Sequence, residues 1–129
     1  MVRRRKYLDP DDLYQFKNSK QWHKFSTLTP DALLSDGTQW VAEEGDVLWF
    51  FDIVGLVQTI NEDTNQEVFQ HWHVKWEEDM ATTIVCEDGN NNIVYTRVIP
   101  YTYFPFRSLD VYAVNTKDKI KIMLPGEYK

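Results

Sequence analysis

The strongest pattern in the chain is an apolar run at residues 47–59 whose large side chains recur at helical spacing. At about 100° per residue, Trp49, Phe50, Ile53, Val54 and Val57 fall on one side, while Asp52, Gly55 and Thr59 form a narrow polar stripe opposite. β-Branched residues disfavour a helix and make a strand the rival reading, but the spacing and the length favour a helix. Gly45-Asp46 supplies a break and a cap before it. After a polar loop at 61–66, residues 68–76 alternate cleanly. Val68, Gln70, Trp72, Val74 and Trp76 share one face of the predicted strand, and Phe69, His71, His73 and Lys75 share the other. Glu77-Glu78-Asp79 turns the chain. Residues 81–87 and 93–99 read as strands on either side of the turn signal Asp88-Gly89-Asn90-Asn91-Asn92, and Pro100 stops the second. Residues 109–114 and 119–124 read as a last hairpin.

Upstream, Asp9-Pro10-Asp11-Asp12 has the form of a helix start, with a capping carboxylate, proline at the first position and negative charge at the positive end of the dipole. Leu13 and Phe16 anchor a short helix that stops near Asn18. Residues 21–27 read as a strand, Thr29-Pro30-Asp31 as a turn or single helical turn, Asp36-Gly37 as a hairpin-type turn, and residues 38–42 as the strand after it. The sum is an α+β domain: an antiparallel sheet of about five to seven strands packed on one central apolar helix, with a short N-terminal helix.

Composition sharpens this picture. The 129 residues bound a single domain at 7–129 behind a flexible basic tail at 1–6, and 43% apolar content with five Trp supports a substantial core. One Cys allows no internal disulfide and points to a reducing, cytoplasmic setting. No apolar run approaches the roughly 20 residues of a membrane span, and the basic start runs into Tyr7, Leu8 and Asp9 rather than into the apolar core of a signal peptide.

The net charge of -6 is unevenly spread. Residues 31–79 hold twelve carboxylates against one base, Lys75, whereas Arg3, Arg4, Arg5 and Lys6 crowd the N-terminus. Such a body repels phosphates and argues against direct nucleic-acid binding by the folded part. It favours a protein partner with a basic surface.

Three constellations carry candidate chemistry. His71 and His73 point the same way on a strand, as a metal site could use. A tight turn at 78–79 sets His71 opposite Cys86 and gives a Cys-His-His cluster. A loop one residue longer moves Cys86 and Ile84 to the core side with Trp72 and Val74, which buries more apolar surface and is the favoured register. In that register His71, His73, Lys75, Val85, Tyr95 and Arg97 form one mixed outer face. Asp52 is a lone carboxylate among apolar residues with no sequence-evident acid–base partner. His23 reads as a surface histidine. The stretch Pro100-Tyr101-Thr102-Tyr103-Phe104-Pro105 is either a core-covering loop or an exposed recognition edge. No phosphate loop, dinucleotide fingerprint, nucleophile elbow or paired-histidine zinc helix is present.

Leu48-Trp49-Phe50-Phe51-Asp52, Phe69-Gln70-x-Trp72, Cys86-Glu87-Asp88-Gly89-Asn90, Ile99-Pro100-Tyr101-Thr102-x-Phe104-Pro105 and Leu124-Pro125-Gly126-Glu127-Tyr128 occur in that order. In this the chain resembles, from about Leu8 to Tyr128, a small bacterial family catalogued as a domain of unknown function and scattered among genomes, plasmids and phages. It departs from the pattern at Tyr103, where the family has an acidic residue, and His71 and His73 lie outside it. The resemblance implies a mobile-element context and no mechanism.

The expectation from sequence is therefore a non-enzymatic protein-binding module. Its acidic surface, formed by Glu43, Glu44, Asp46, Glu62, Asp63, Glu67, Glu77, Glu78 and Asp79, would block a basic nucleic-acid-handling partner by imitating phosphate charge, as phage-encoded anti-CRISPR proteins do. No catalytic, cofactor or metal residues are assigned. The alternatives are a small metal-binding or hydrolytic enzyme using His71, His73, Cys86 or Asp52, and a homodimeric scaffold.

Overall fold

Local sequence and sheet pairing together produce twelve short elements in the computed structural model, which describes residues 7–77, 80–116 and 118–128. The basic tail predicted at 1–6 lies outside the described residues. In chain order these are a 3-10 helix (Pro10–Gln15), β1 (His23–Lys24), β2 (Ala32–Leu34), α1 (Asp36–Glu44), α2 (Leu48–Ile60), the single-turn α3 (Glu62–Asn65), β3 (Phe69–Trp76), β4 (Thr82–Glu87), β5 (Ile93–Ile99), β6 (Ser108–Asn115), β7 (Ile120–Met123) and a 3-10 turn (Pro125–Glu127). The strands form one open seven-stranded sheet in the order β1-β2-β7-β6-β3-β4-β5. Every pairing is antiparallel except β2 with β7. The α+β class, the central helix and the five strands after it follow the sequence reading.

The helix α2 supplies one half of the core and the inner face of the sheet the other. Phe50, Phe51, Val54 and Val57 are buried with Trp72, Val74, Ile84, Cys86, Val111 and Ile122. Each such side chain contributes about 1.5–3 kcal/mol, an upper figure because the unfolded chain already hides part of this surface. Trp49 and Ile53, predicted for the buried side, are only partly covered, while Phe51 and Gly55 are inside. Gly55 is buried because Thr29 lies against it: a Cβ there would meet the Thr29 side chain at 3.0 Å. Asp46 does not cap α2. It takes a left-handed backbone (φ 55), and the helix starts at Leu48 behind Val47, which makes no side-chain capping bond.

The predicted turn at Asp36-Gly37 and the strand after it are in fact α1. Ser35 caps this helix, its Oγ accepting the Thr38 N–H at 3.1 Å. A long-range acceptor completes the start. Glu127 Oε1 accepts from Ser35 Oγ at 2.5 Å and from Leu124 N at 3.0 Å, while Oε2 accepts from Gly37 N at 3.1 Å. A carboxylate at a helix N-terminus is favourable both as acceptor and as counter-charge to the dipole. Gly37 is the residue that admits it: a Cβ there would lie 2.6 Å from Glu127 Oε1.

The 3-10 helix begins as read, with Asp9 Oδ1 accepting from Asp11 N at 2.9 Å. The strand expected at 21–27 shrinks to β1, and β2 forms where only a turn was expected, drawn out by its pairing with β7. Residues 61–66 hold α3, capped by the Asn61 side chain through Thr64 N at 2.9 Å.

The favoured register of β3 and β4 is the one adopted: Trp72 pairs with Cys86 and Val74 with Ile84. Tyr95 and Arg97 do not join the outer face. They pair with Cys86 and Ile84 and so stand on the inner side, and Tyr95 packs on Trp72 at 5.7 Å between ring centroids. A register shift between Cys86 and Glu87 sets Ile93 opposite Glu87 instead. At residues 100–105 both readings hold in part: Phe104 is fully buried, while Tyr101 is 89% exposed in a left-handed turn (φ 53).

Beneath α2 lies a buried amide network. Gln58 and Gln70 exchange hydrogen bonds of 2.7 and 2.9 Å, and Trp72 Nε1 donates to Gln70 Oε1 at 3.0 Å. The Gln70 amide also donates to the Thr64 carbonyl at 3.0 Å. This is how a polar residue on the inner face of β3 is accommodated without the cost of an unpaired buried group.

Candidate metal centre

The two histidines of β3 project from the outer face of the sheet because residues two apart on a strand share a side. Their third partner comes from β6, not β4. Asp110 pairs directly with His73 in the β3–β6 ladder, and His71 pairs with Tyr112. Asp110 Oδ1 lies 2.8 Å from His71 Nε2 and 2.7 Å from His73 Nδ1, so one carboxylate oxygen bridges two imidazoles. The three donor atoms all lie within 4.8 Å of one another. The imidazoles stand edge to face at 6.4 Å, and the His71 ring meets Tyr112 at 5.3 Å.

Burial pushes the Asp110 carboxyl up, but hydrogen bonds from His73 and His71, with the charge on those rings, outweigh it and hold the group below its ordinary value. The anion is therefore the resident form, as a metal ligand must be. Two imidazole nitrogens and one carboxylate oxygen form a donor set suited to zinc-class divalent ions. Bonds of about 2.0–2.1 Å around a tetrahedral ion set donors roughly 3.3 Å apart. To meet that geometry the Asp110 contacts would open by about half an ångström, and the two imidazole nitrogens, which lie within 4.8 Å of each other, would settle at the same spacing, by rotation of side chains that are 30–46% exposed.

Cys86, the sequence candidate for third ligand, is on the opposite face with Trp72 and fully buried. Burial first, then the charges of Glu67, Glu87 and Asp88, push its thiol up to about 12. It is a packed core thiol, neither ligand nor nucleophile. Asp52 is half-buried on α2, and its Oδ1 is a buried atom with no hydrogen-bond partner among the described residues. His23 is half-buried, with Nε2 2.8 Å from Asp36 Oδ1 at the start of α1. That bond, and the Lys20 N–H on the other oxygen, hold the Asp36 carboxyl below its ordinary value.

The predicted acidic surface is divided. Glu43, Glu44 and Asp46 are exposed at the C-terminal end of α1. Glu62 and Asp63 belong to α3, beyond the far end of α2, whose 13 residues span about 20 Å. Glu67 precedes β3 and Glu77 follows it, with Glu77 Oε1 3.6 Å from Lys75 Nζ. Glu78 and Asp79 lie outside the described residues. Asp110 was missed because it stands 37 positions from His73 and nothing local marks the β3–β6 pairing. The one available signal was its place between Leu109 and Val111, a carboxylate on the polar phase of an alternating strand.

A protein-family profile described as "Family of unknown function (DUF6876)" matches residues 9–128. No curated protein matches the chain. A solved structure titled "Crystal structure of the protein of unknown function from Enterococcus faecalis" is similar in fold, with a TM-score of 0.59 and 15% identity. The match covers 84% of this chain and 99% of that one. Among the described residues no helix is long and apolar enough to cross a membrane.

Proposed function

Because the chain belongs to DUF6876, a family of unknown function that hands it no chemistry, we propose its role from geometry: it is a divalent-metal-binding domain whose ion sits on His71, His73 and Asp110. The observation that carries this reading is the convergence of three ligand-type atoms from β3 and β6 on one exposed sheet face. It departs from the expectation that the chain has no metal residues. The sheet supplies rigidity, since both strands are interior strands paired on either side. Three protein ligands leave at least one position for water or an outside ligand, the arrangement of metal sites that do chemistry rather than only hold a fold.

Purified protein stripped with chelator should take up about one equivalent of zinc per chain, followed by titration calorimetry. His73→Ala and Asp110→Ala should each weaken uptake by at least about 100-fold while leaving the far-ultraviolet dichroism unchanged. Uptake should also weaken as pH falls, because protons compete for the ring nitrogens. Zinc uptake that survives both substitutions would remove the assignment.

A second reading keeps the acidic partner-binding role, now at the end of α1. Glu43 and Glu44 are exposed in the last turn, at the negative end of the dipole, so their charge adds to that of the helix end. A partner with a basic surface would complement that charge, and blocking a nucleic-acid-handling protein remains its most concrete form. Capture of such a partner from a lysate should fall steeply between about 50 and 200 mM salt. Glu43→Lys/Glu44→Lys should abolish capture; salt-insensitive capture would count against electrostatic docking.

A further inference from the structure

Beside the His71–His73–Asp110 cluster runs a groove of about 530 Å³ between the N-terminal 3-10 helix and the Pro125–Glu127 turn. Leu13, Phe16 and Pro125 give it apolar walls, and Asp110 is part of its lining, so the groove and the cluster share a residue. The His71 end of the cluster is flanked by aromatic rings: the His71 ring abuts Tyr112, which packs edge-on against Phe69 at 4.9 Å and Tyr128 at 5.5 Å. The groove borders the cluster at its other end, on the Ser108 side.

Charge decides the kind of occupant. The charged residues that line the groove are Lys17 and Asp110. Asp11 and Asp12, on the same 3-10 helix as Leu13, are exposed and stand outside the lining. A divalent ion on one carboxylate and two neutral imidazoles leaves a surplus positive charge, and Lys17 adds another. The volume suits a small molecule, within the usual range of roughly 300–1,000 Å³. Resting on the metal reading above, we propose that this groove binds a small carboxylic acid with an apolar tail. The carboxylate would complete the coordination of the ion, and the tail would lie along Leu13, Phe16 and Pro125.

The test uses 3-phenylpropionate, with 3-phenylpropanol as its uncharged counterpart, on the full chain with and without zinc. The acid should bind the zinc-loaded protein at least about tenfold more tightly than the alcohol does, and at least about tenfold more tightly than it binds metal-free protein. In the cobalt-substituted protein it should shift and change the intensity of the visible d–d bands, as entry of a carboxylate into the coordination sphere does, whereas the alcohol should leave them as they are. Leu13→Ala and Lys17→Gln should each weaken acid binding about five- to tenfold while leaving zinc uptake unaltered. Normal zinc uptake with no acid binding would overturn this inference and leave the metal site standing. Equal binding of the acid with and without zinc would overturn it as well. Absence of zinc uptake would overturn both readings together.

Discussion

Replacing Glu127 with alanine should lower the unfolding free energy by about 3–5 kcal/mol and the thermal midpoint by roughly 10–20 °C. Glu127 is 7% exposed, and its carboxylate is the shared acceptor for Ser35 Oγ, Gly37 N and Leu124 N. Without it two donors at the start of α1 and one at the C-terminal turn lose an acceptor in a place that water does not reach freely, at about 1–3 kcal/mol for each one left unpaired. The loss also detaches the C-terminal turn from α1 and so loosens Leu124, which is buried. Glu127→Gln retains one acceptor oxygen and should fall between wild type and alanine. Gly37→Ala attacks the same contact from the other side, since its Cβ would lie 2.6 Å from both Glu127 Oε1 and Leu124 Cδ1. Thermal melts followed by circular dichroism decide the matter, and an alanine variant within about 3 °C of wild type would show that the carboxylate is not what holds α1 to the C-terminal turn.

Gln70→Leu should cost a similar amount, about 3–4 kcal/mol. Leucine approximates the shape but strands the Trp72 indole N–H and the Gln58 Oε1, and leaves Gln58 Nε2 with the Val54 carbonyl as its acceptor. Gln58→Leu alone should cost less, about 1–2 kcal/mol, because Gln70 keeps the Thr64 carbonyl and the indole as partners. The double variant removes both halves of the amide pair, so its cost should be smaller than the two single costs added, by about 1–2 kcal/mol. Urea unfolding of the four proteins measures that difference. Strict additivity would mean the two glutamines are independent, contrary to the reciprocal geometry.

The sequence was most readable where one local pattern dominated. The helical spacing of Trp49, Phe50, Ile53, Val54 and Val57 located α2 to within a residue at either end. Strict alternation gave β3, and burial of Trp72 beside Ile84 and Cys86 chose the β3–β4 register correctly. Legibility failed where distant segments decide. Asp36-Gly37 has the composition of a turn; Ser35 caps a helix there locally, and Glu127, 90 residues away from Gly37, completes its first turn. The strand β2 is three residues long and exists by pairing with β7. The candidate site was half visible. His71 and His73 were identified together, but their third partner was sought on the neighbouring hairpin strand, Cys86, when the sheet order places β6 on the other flank of β3. Tyr95 and Arg97 were set on the wrong face because the irregular pairing after Cys86 changes the phase of β5, and nothing in Ile93-Val94-Tyr95 announces it.

The parallel pairing of Ala32 with Ile120 and the Ser35–Glu127 contact tie the first third of the chain to its last ten residues. During synthesis, β2 therefore lacks its parallel partner, and the start of α1 its carboxylate acceptor, until residues 120–127 have left the ribosome. High contact order of this kind makes folding slow and late. Until then the sheet can assemble on α2 only from β3 to β6, and the edge of β6 stands open where β7 will pair.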